Sequence, residues 1–124
     1  MLILIADDDE KLRRCVAQII ETAGYSVVEA ATGKEALRHL DSPSEFSLFI
    51  TDLVMPDMEG LELITLLKKS HPQLPIVAMS GSFDGQFLYV AKVFGVQATL
   101  QKPFKASILL KTVESVLARE ASAA

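Results

Sequence analysis

The stretch Leu2-Ile3-Leu4-Ile5-Ala6-Asp7-Asp8-Asp9 decides the architecture. Its apolar run is far shorter than the roughly 20 residues of a membrane span, and it has the length of a strand buried on both faces. The run stops abruptly at consecutive carboxylates. From Glu10 the spacing changes: Leu12, Val16, Ile19, Ile20 and Ala23 fall on one helical stripe, and Gly24 ends it. Strand, acidic turn, amphipathic helix is therefore the first unit.

Working outward, the same unit recurs. Further short apolar runs stand at Ser26–Ala30, Leu48–Thr51, Ile76–Ser80 and Ala98–Gln101. Between and after them lie segments of helical spacing. Thr32 to Leu40 reads as a short helix with Thr32 as N-cap. Gly60 to Ser70 carries Leu61, Ile64 and Leu67, with Lys68 and Lys69 in the last turn, where the helix dipole favours cations. Gln86 to Phe94 precedes Gly95, and Phe104 to Arg119 carries Ile108, Leu109, Val113, Val116 and Leu117. Alternation of this kind predicts an α/β fold: a doubly wound (βα)5 unit, a parallel five-stranded sheet with helices on both faces. In such folds ligands bind beyond the carboxyl ends of the strands.

Those ends carry the chemistry. Asp7, Asp8 and Asp9 follow the first strand, Asp52 follows the third, Ser80-Gly81 the fourth and Lys102-Pro103 the fifth. Each has an ordinary reading alone: a helix cap, a loop acid, a turn serine, a surface lysine. Their arrival together at one sheet edge argues for a site. Bare carboxylates at about 4 Å and an effective dielectric near 20 repel by roughly 4 kcal/mol per pair, which a divalent cation would offset. Oxygen ligands without His or Cys suit Mg²⁺ first and Mn²⁺ second. A carboxylate is also a nucleophile toward phosphorus. Lys102 would supply a point charge, Ser80 a hydroxyl donor, and the Gly81 amide a close approach.

These motifs, in order, resemble the receiver domains of two-component signalling from Leu2 to about Leu117. Leu2 to Asp9 is similar to the family's first strand and acidic pair. Asp52-Leu53-Val54-Met55-Pro56-Asp57-Met58-Glu59-Gly60 is similar to its phosphoacceptor segment, and Ser80-Gly81 and Lys102-Pro103-Phe104 to its later signatures. The resemblance implies a flavodoxin-like strand order 2-1-3-4-5. It implies Asp52 as phosphoacceptor, and Ser80, Gly81 and Lys102 as contacts of the phosphoryl group. It implies Asp8, Asp52 and the Val54 backbone carbonyl as Mg²⁺ ligands, with Asp7 acting largely through water. The Lys102-Pro103 peptide would be cis. Asp9 matches an acidic position but receives no direct role. The implied partners are a histidine kinase or a histidine phosphotransfer protein and an unidentified downstream protein. The domain would assist its own phosphorylation without being an enzyme in the turnover sense.

One position departs from the family. Thr99 stands three residues before Lys102, where many receivers carry Tyr or Phe. Thr99 has no ring to bury or expose, so a switch coupling Ser80 to that ring does not carry over. Gly81-Ser82-Phe83-Asp84-Gly85 is expected to be a mobile loop, and that loop with the helix Gln86 to Phe94 to carry the signal.

Two competing functions are weighed. An aspartyl-phosphate phosphohydrolase would place a second Asp two residues after the nucleophile, where this chain has Val54. A receiver-like interaction domain that is never phosphorylated would have lost an acidic or lysine position, and none is lost.

Composition sets the remaining bounds. The chain has 124 residues, half of them hydrophobic, and one cysteine, which excludes an internal disulfide. Net charge is −4 and basic residues are scattered, so no nucleic-acid surface is expected. The first strand has no basic leader and is no signal peptide, and a cytoplasmic monomer or weak dimer without membrane contact is expected. Residues 1–120 are assigned to the domain, and 121–124 to a tail or the start of a linker. His39 and His71 are assigned to surface positions on or near helix ends, and Cys15 to an ordinary helix position. Phe46, Phe49, Phe94 and Phe104 are assigned to core or sheet-edge packing, Tyr25 and Tyr89 to packing ahead of partner contact, and Met55, Met58 and Met79 to gap-filling.

Overall fold

The structure, a computed structural model, describes residues 1–81 and 86–123. Strands and helices alternate as β1 (Leu2–Ala6), α1 (Glu10–Thr22), β2 (Ser26–Ala30), α2 (Gly33–Leu40), β3 (Leu48–Asp52), α3 (Gly60–Ser70), β4 (Ile76–Ser80), α4 (Gln86–Val93), β5 (Ala98–Gln101) and α5 (Ala106–Ala123). The strands are all parallel and ordered β2-β1-β3-β4-β5. This is the flavodoxin-like order expected from the sequence, with its strand-order switch between β1 and β3.

Period-two alternation in the strands sorts the core into two layers. Ile3, Ile5, Ile50, Val77 and Met79 face α1 and α5, where they meet Val16, Ile20, Leu109, Val113 and Val116. Leu4, Phe49, Ile76 and Ala78 face the other way and meet Ala36, Leu63, Ile64, Leu67 and Ala91 from α2, α3 and α4. Burying a Leu, Ile or Phe side chain is worth about 1.5–3 kcal/mol. Apolar runs without alternation in hydrophobicity are what a strand covered on both faces requires.

The helix ends follow local chemistry. Asp9 caps α1 by accepting the Leu12 amide at 3.2 Å, and Thr32 caps α2 by accepting the Glu35 amide at 3.1 Å. Near the lower edge, His71 Nε2 lies 3.1 Å from the Leu40 carbonyl, tying the end of α3 to the end of α2. α5 begins at Ala106 rather than Phe104 and runs through the Ala/Ser segment to Ala123. Two aromatic expectations are corrected: Tyr89, on α4, is 72% exposed and Phe94, just after it, 43%. Ser82 to Gly85, on which the mobile-loop expectation falls, lie outside the described residues. Among the described residues no helix is long and apolar enough to cross a membrane.

Candidate functional site

The register of the sheet gathers the functional groups. Ala6 is level with Thr51, Asp52 with Met79, and Ser80 with Gln101. The residues that leave β1, β3, β4 and β5 therefore emerge at one edge. Asp7, Asp8 and Asp52 each offer a carboxylate oxygen, and these atoms all lie within 4.8 Å of one another. Asp7 is fully buried and Asp52 is 6% exposed, while Asp8 faces solvent. Lys102 Nζ lies 2.9 Å from Asp7 Oδ2 and 3.5 Å from Asp52 Oδ2. The ammonium is thus closer to Asp7 than to Asp52.

Asp7 is held at several atoms. Its Oδ1 accepts the Asp9 amide at 3.0 Å, its amide donates to the Ala30 carbonyl at 3.1 Å, and its carbonyl accepts from Arg13 at 2.8 Å. Arg13 is itself anchored on Glu29 of β2 at 3.0 Å, and Arg14 also pairs with Glu29. Asp52 is less fully compensated. Burial raises its carboxyl above the ordinary carboxylate range; Lys102 pulls it down, Asp7 pushes it up, and the Val54 amide lowers it.

The donor set fits a hard divalent cation. Among the described residues, three carboxylates share one nearby ammonium, so negative charge is in excess, and no His or Cys belongs to the group. Buried Asp7 and Asp52 would present a fixed floor, and exposed Asp8 would leave a side open to water.

A family model for the response regulator receiver domain matches residues 3–114. The chain belongs to that family. The receiver protein CpdR of Brucella abortus (strain 2308) is 35% identical over 121 residues, which is 93% of this chain and 95% of CpdR. The sensor kinase CckA of the same strain is 30% identical over 119 residues, 95% of this chain but only 13% of the kinase's length. A CheY-like receiver structure from Methanospirillum hungatei JF-1 superposes with a TM-score of 0.92 at 30% identity, covering 99% of this chain and 98% of that one. The Asp7/Asp8/Asp52 cluster is typical of the receiver phosphoacceptor site.

Ser80 is buried at the end of β4. A Cβ on Gly81 would lie 3.3 Å from Lys102 Cβ, so the absence of a side chain there brings the backbone against the lysine stem. The Lys102–Pro103 peptide is cis. Val54 is 50% exposed and bridges Glu59 in antiparallel fashion. Thr99 is half-buried in β5, level with Ala78. Arg13 and Asp57 make contacts that carried no flag in the sequence. Arg13 sits in an ordinary Lys/Arg stretch of a helix, and its bond to a backbone carbonyl leaves no pattern. Asp57 belongs to the phosphoacceptor-like segment, and its carboxylate reaches the N-terminus of α2.

Proposed function

We propose that this receiver is a phosphorylation-operated switch whose phosphoacceptor is the Asp52 carboxylate. The donor is a phosphohistidine on a histidine kinase or a histidine phosphotransfer protein; the similarity to a sensor kinase supports that class. An Asp52 oxygen attacks phosphorus, an O–P bond forms and the N–P bond breaks. The electron pair stays on the ring, which leaves as neutral imidazole when its other nitrogen carries a proton. Transfer of this kind needs positioning and charge compensation more than covalent help from the protein.

The chain's own groups supply both. Lys102 offers an ammonium between Asp7 and Asp52. The Ser80 hydroxyl and the Gly81 amide, at the end of β4, contact the transferred group. Arg13 and the Asp9 amide keep Asp7 in place. Asp7, Asp8, Asp52 and the Val54 carbonyl would hold Mg²⁺, or Mn²⁺, which supplies positive charge against the phosphoryl oxygens. Hydrolysis of the aspartyl phosphate resets the switch, so the domain acts on itself alone and is not an enzyme in the turnover sense. The added charge biases a surface that binds a downstream protein. The reading is of a cytoplasmic monomer or weak dimer, with no direct contact to nucleic acid or membrane.

The observation that carries this reading is the convergence of three carboxylates and one ammonium beyond the carboxyl ends of the strands. Incubation with Mg²⁺ and acetyl phosphate, followed by intact mass, tests it. The expected result is a gain of one phosphoryl group, lost in Asp52→Asn and lost in EDTA. No gain, or a gain that survives Asp52→Asn, removes Asp52 as acceptor.

A further inference from the structure

The loop from Leu53 to Glu59 is closed at its base. The Gly60 amide donates to the Leu53 carbonyl at 3.0 Å, and Val54 pairs with Glu59. A Cβ on Gly60 would stand 2.4 Å from Leu53 Cα, so the two backbones touch. The tip is fastened elsewhere. Asp57 Oδ1 accepts the Gly33 amide and Asp57 Oδ2 accepts the Lys34 amide, each at 3.0 Å. Beside it, Met58 packs on Gly33, where an added Cβ would come within 3.1 Å of Met58 Cβ.

Helix α2 therefore has two caps of different origin. Thr32, its own neighbour, takes the Glu35 amide, and Asp57, from a loop 24 residues away, takes the two amides before it. Those amides have no partner within the helix, and a negative charge there is favoured by the helix dipole. Burial pushes the Asp57 carboxyl up. The Lys34 and Gly33 amides, its own amide and the Lys34 charge outweigh that and hold it below the ordinary range. Asp57 is thus ionised at neutral pH, and both bonds are charge-assisted.

We infer that Asp57 is a positioning residue that clamps the loop onto α2 and so fixes the Val54 carbonyl for the divalent ion. The inference rests on the function proposed above. Asp57 touches neither ion nor phosphoryl group. It acts through the three peptide units between itself and Val54, whose side chain is half exposed. Coupling of this kind is reciprocal. Ion binding at Val54 tightens the amides that Asp57 holds.

The test is titration of the ¹⁵N-labelled full chain with Mg²⁺ alone, read from amide shifts, with thermal midpoints in parallel. Asp57→Ala should weaken Mg²⁺ binding about tenfold, the usual scale for groups that orient metal ligands. Asp57→Asn keeps one acceptor oxygen and should weaken it less; if the alanine variant fails to fold, this variant decides. Thr32→Ala removes the other cap of the same helix without touching the loop. It should lose comparable stability and bind Mg²⁺ as the parent does. In the parent, Gly33 and Lys34 amide exchange should slow on adding Mg²⁺. Unchanged affinity in both Asp57 variants, or an equal loss in Thr32→Ala, overturns the clamp alone. A parent chain that binds no Mg²⁺ overturns the clamp and the metal assignment together.

Discussion

Asp52 is 6% exposed, and burial favours its neutral form over its charged one. Its folded pKa lies above the ordinary 3.8, so the unfolded chain gives up this proton first as pH rises. Stability therefore falls as pH climbs from that value through the folded pKa, and the full cost stands at neutral pH. In EDTA at neutral pH, Asp52→Asn should raise the thermal midpoint. The gain should fade as the buffer is taken below the carboxylate range. Matching melts at neutral pH would show that the carboxylate carries no such cost. Asp7 differs, since a lysine and a backbone amide meet its two oxygens. The identity of these acids was legible in the sequence because each ends an apolar run. The closer pairing of Lys102 with Asp7 was not, because it depends on distances across the sheet edge.

Among the elements, the loop after β3 is sharply constrained at its base. At Gly60 the nearest atoms to an added Cβ are the Leu53 Cα, carbonyl oxygen and carbonyl carbon, all backbone and all within 2.9 Å. Gly60→Ala must push that backbone aside and lengthen the Gly60–Leu53 bond. We expect a loss at or above the top of the about 1–3 kcal/mol typical of overpacking, measured by urea denaturation. A variant within about 0.5 kcal/mol of the parent would show that the loop can yield. Strand positions were readable because the apolar runs Leu2–Ala6, Leu48–Ile50 and Ile76–Met79 each stop at a polar residue. Helix limits were less so. Residues 121–123 favour helix intrinsically and extend α5. At its other end Ile108 and Leu109 amides bond back to Lys105, so the first turn starts after Phe104. The docking of Asp57 on α2 joins residues 24 apart and leaves no local signature.

At the scale of the molecule, the sheet separates two apolar layers that share strands but scarcely share side chains. Ile20 lies in one and Ile64 in the other, both with no exposure. Each truncated to Val should cost about 0.5–1.5 kcal/mol. Because they sit on opposite sides of a continuous wall, the double variant should lose the sum to within about 0.5 kcal/mol. A larger discrepancy in chemical denaturation would mean that the backbone transmits strain from one side to the other. The partition has a use. A designer could diversify the flank beneath α2, α3 and α4, select for new regulatory behaviour there, and leave the α1/α5 flank as an untouched foundation that keeps the acidic corner assembled.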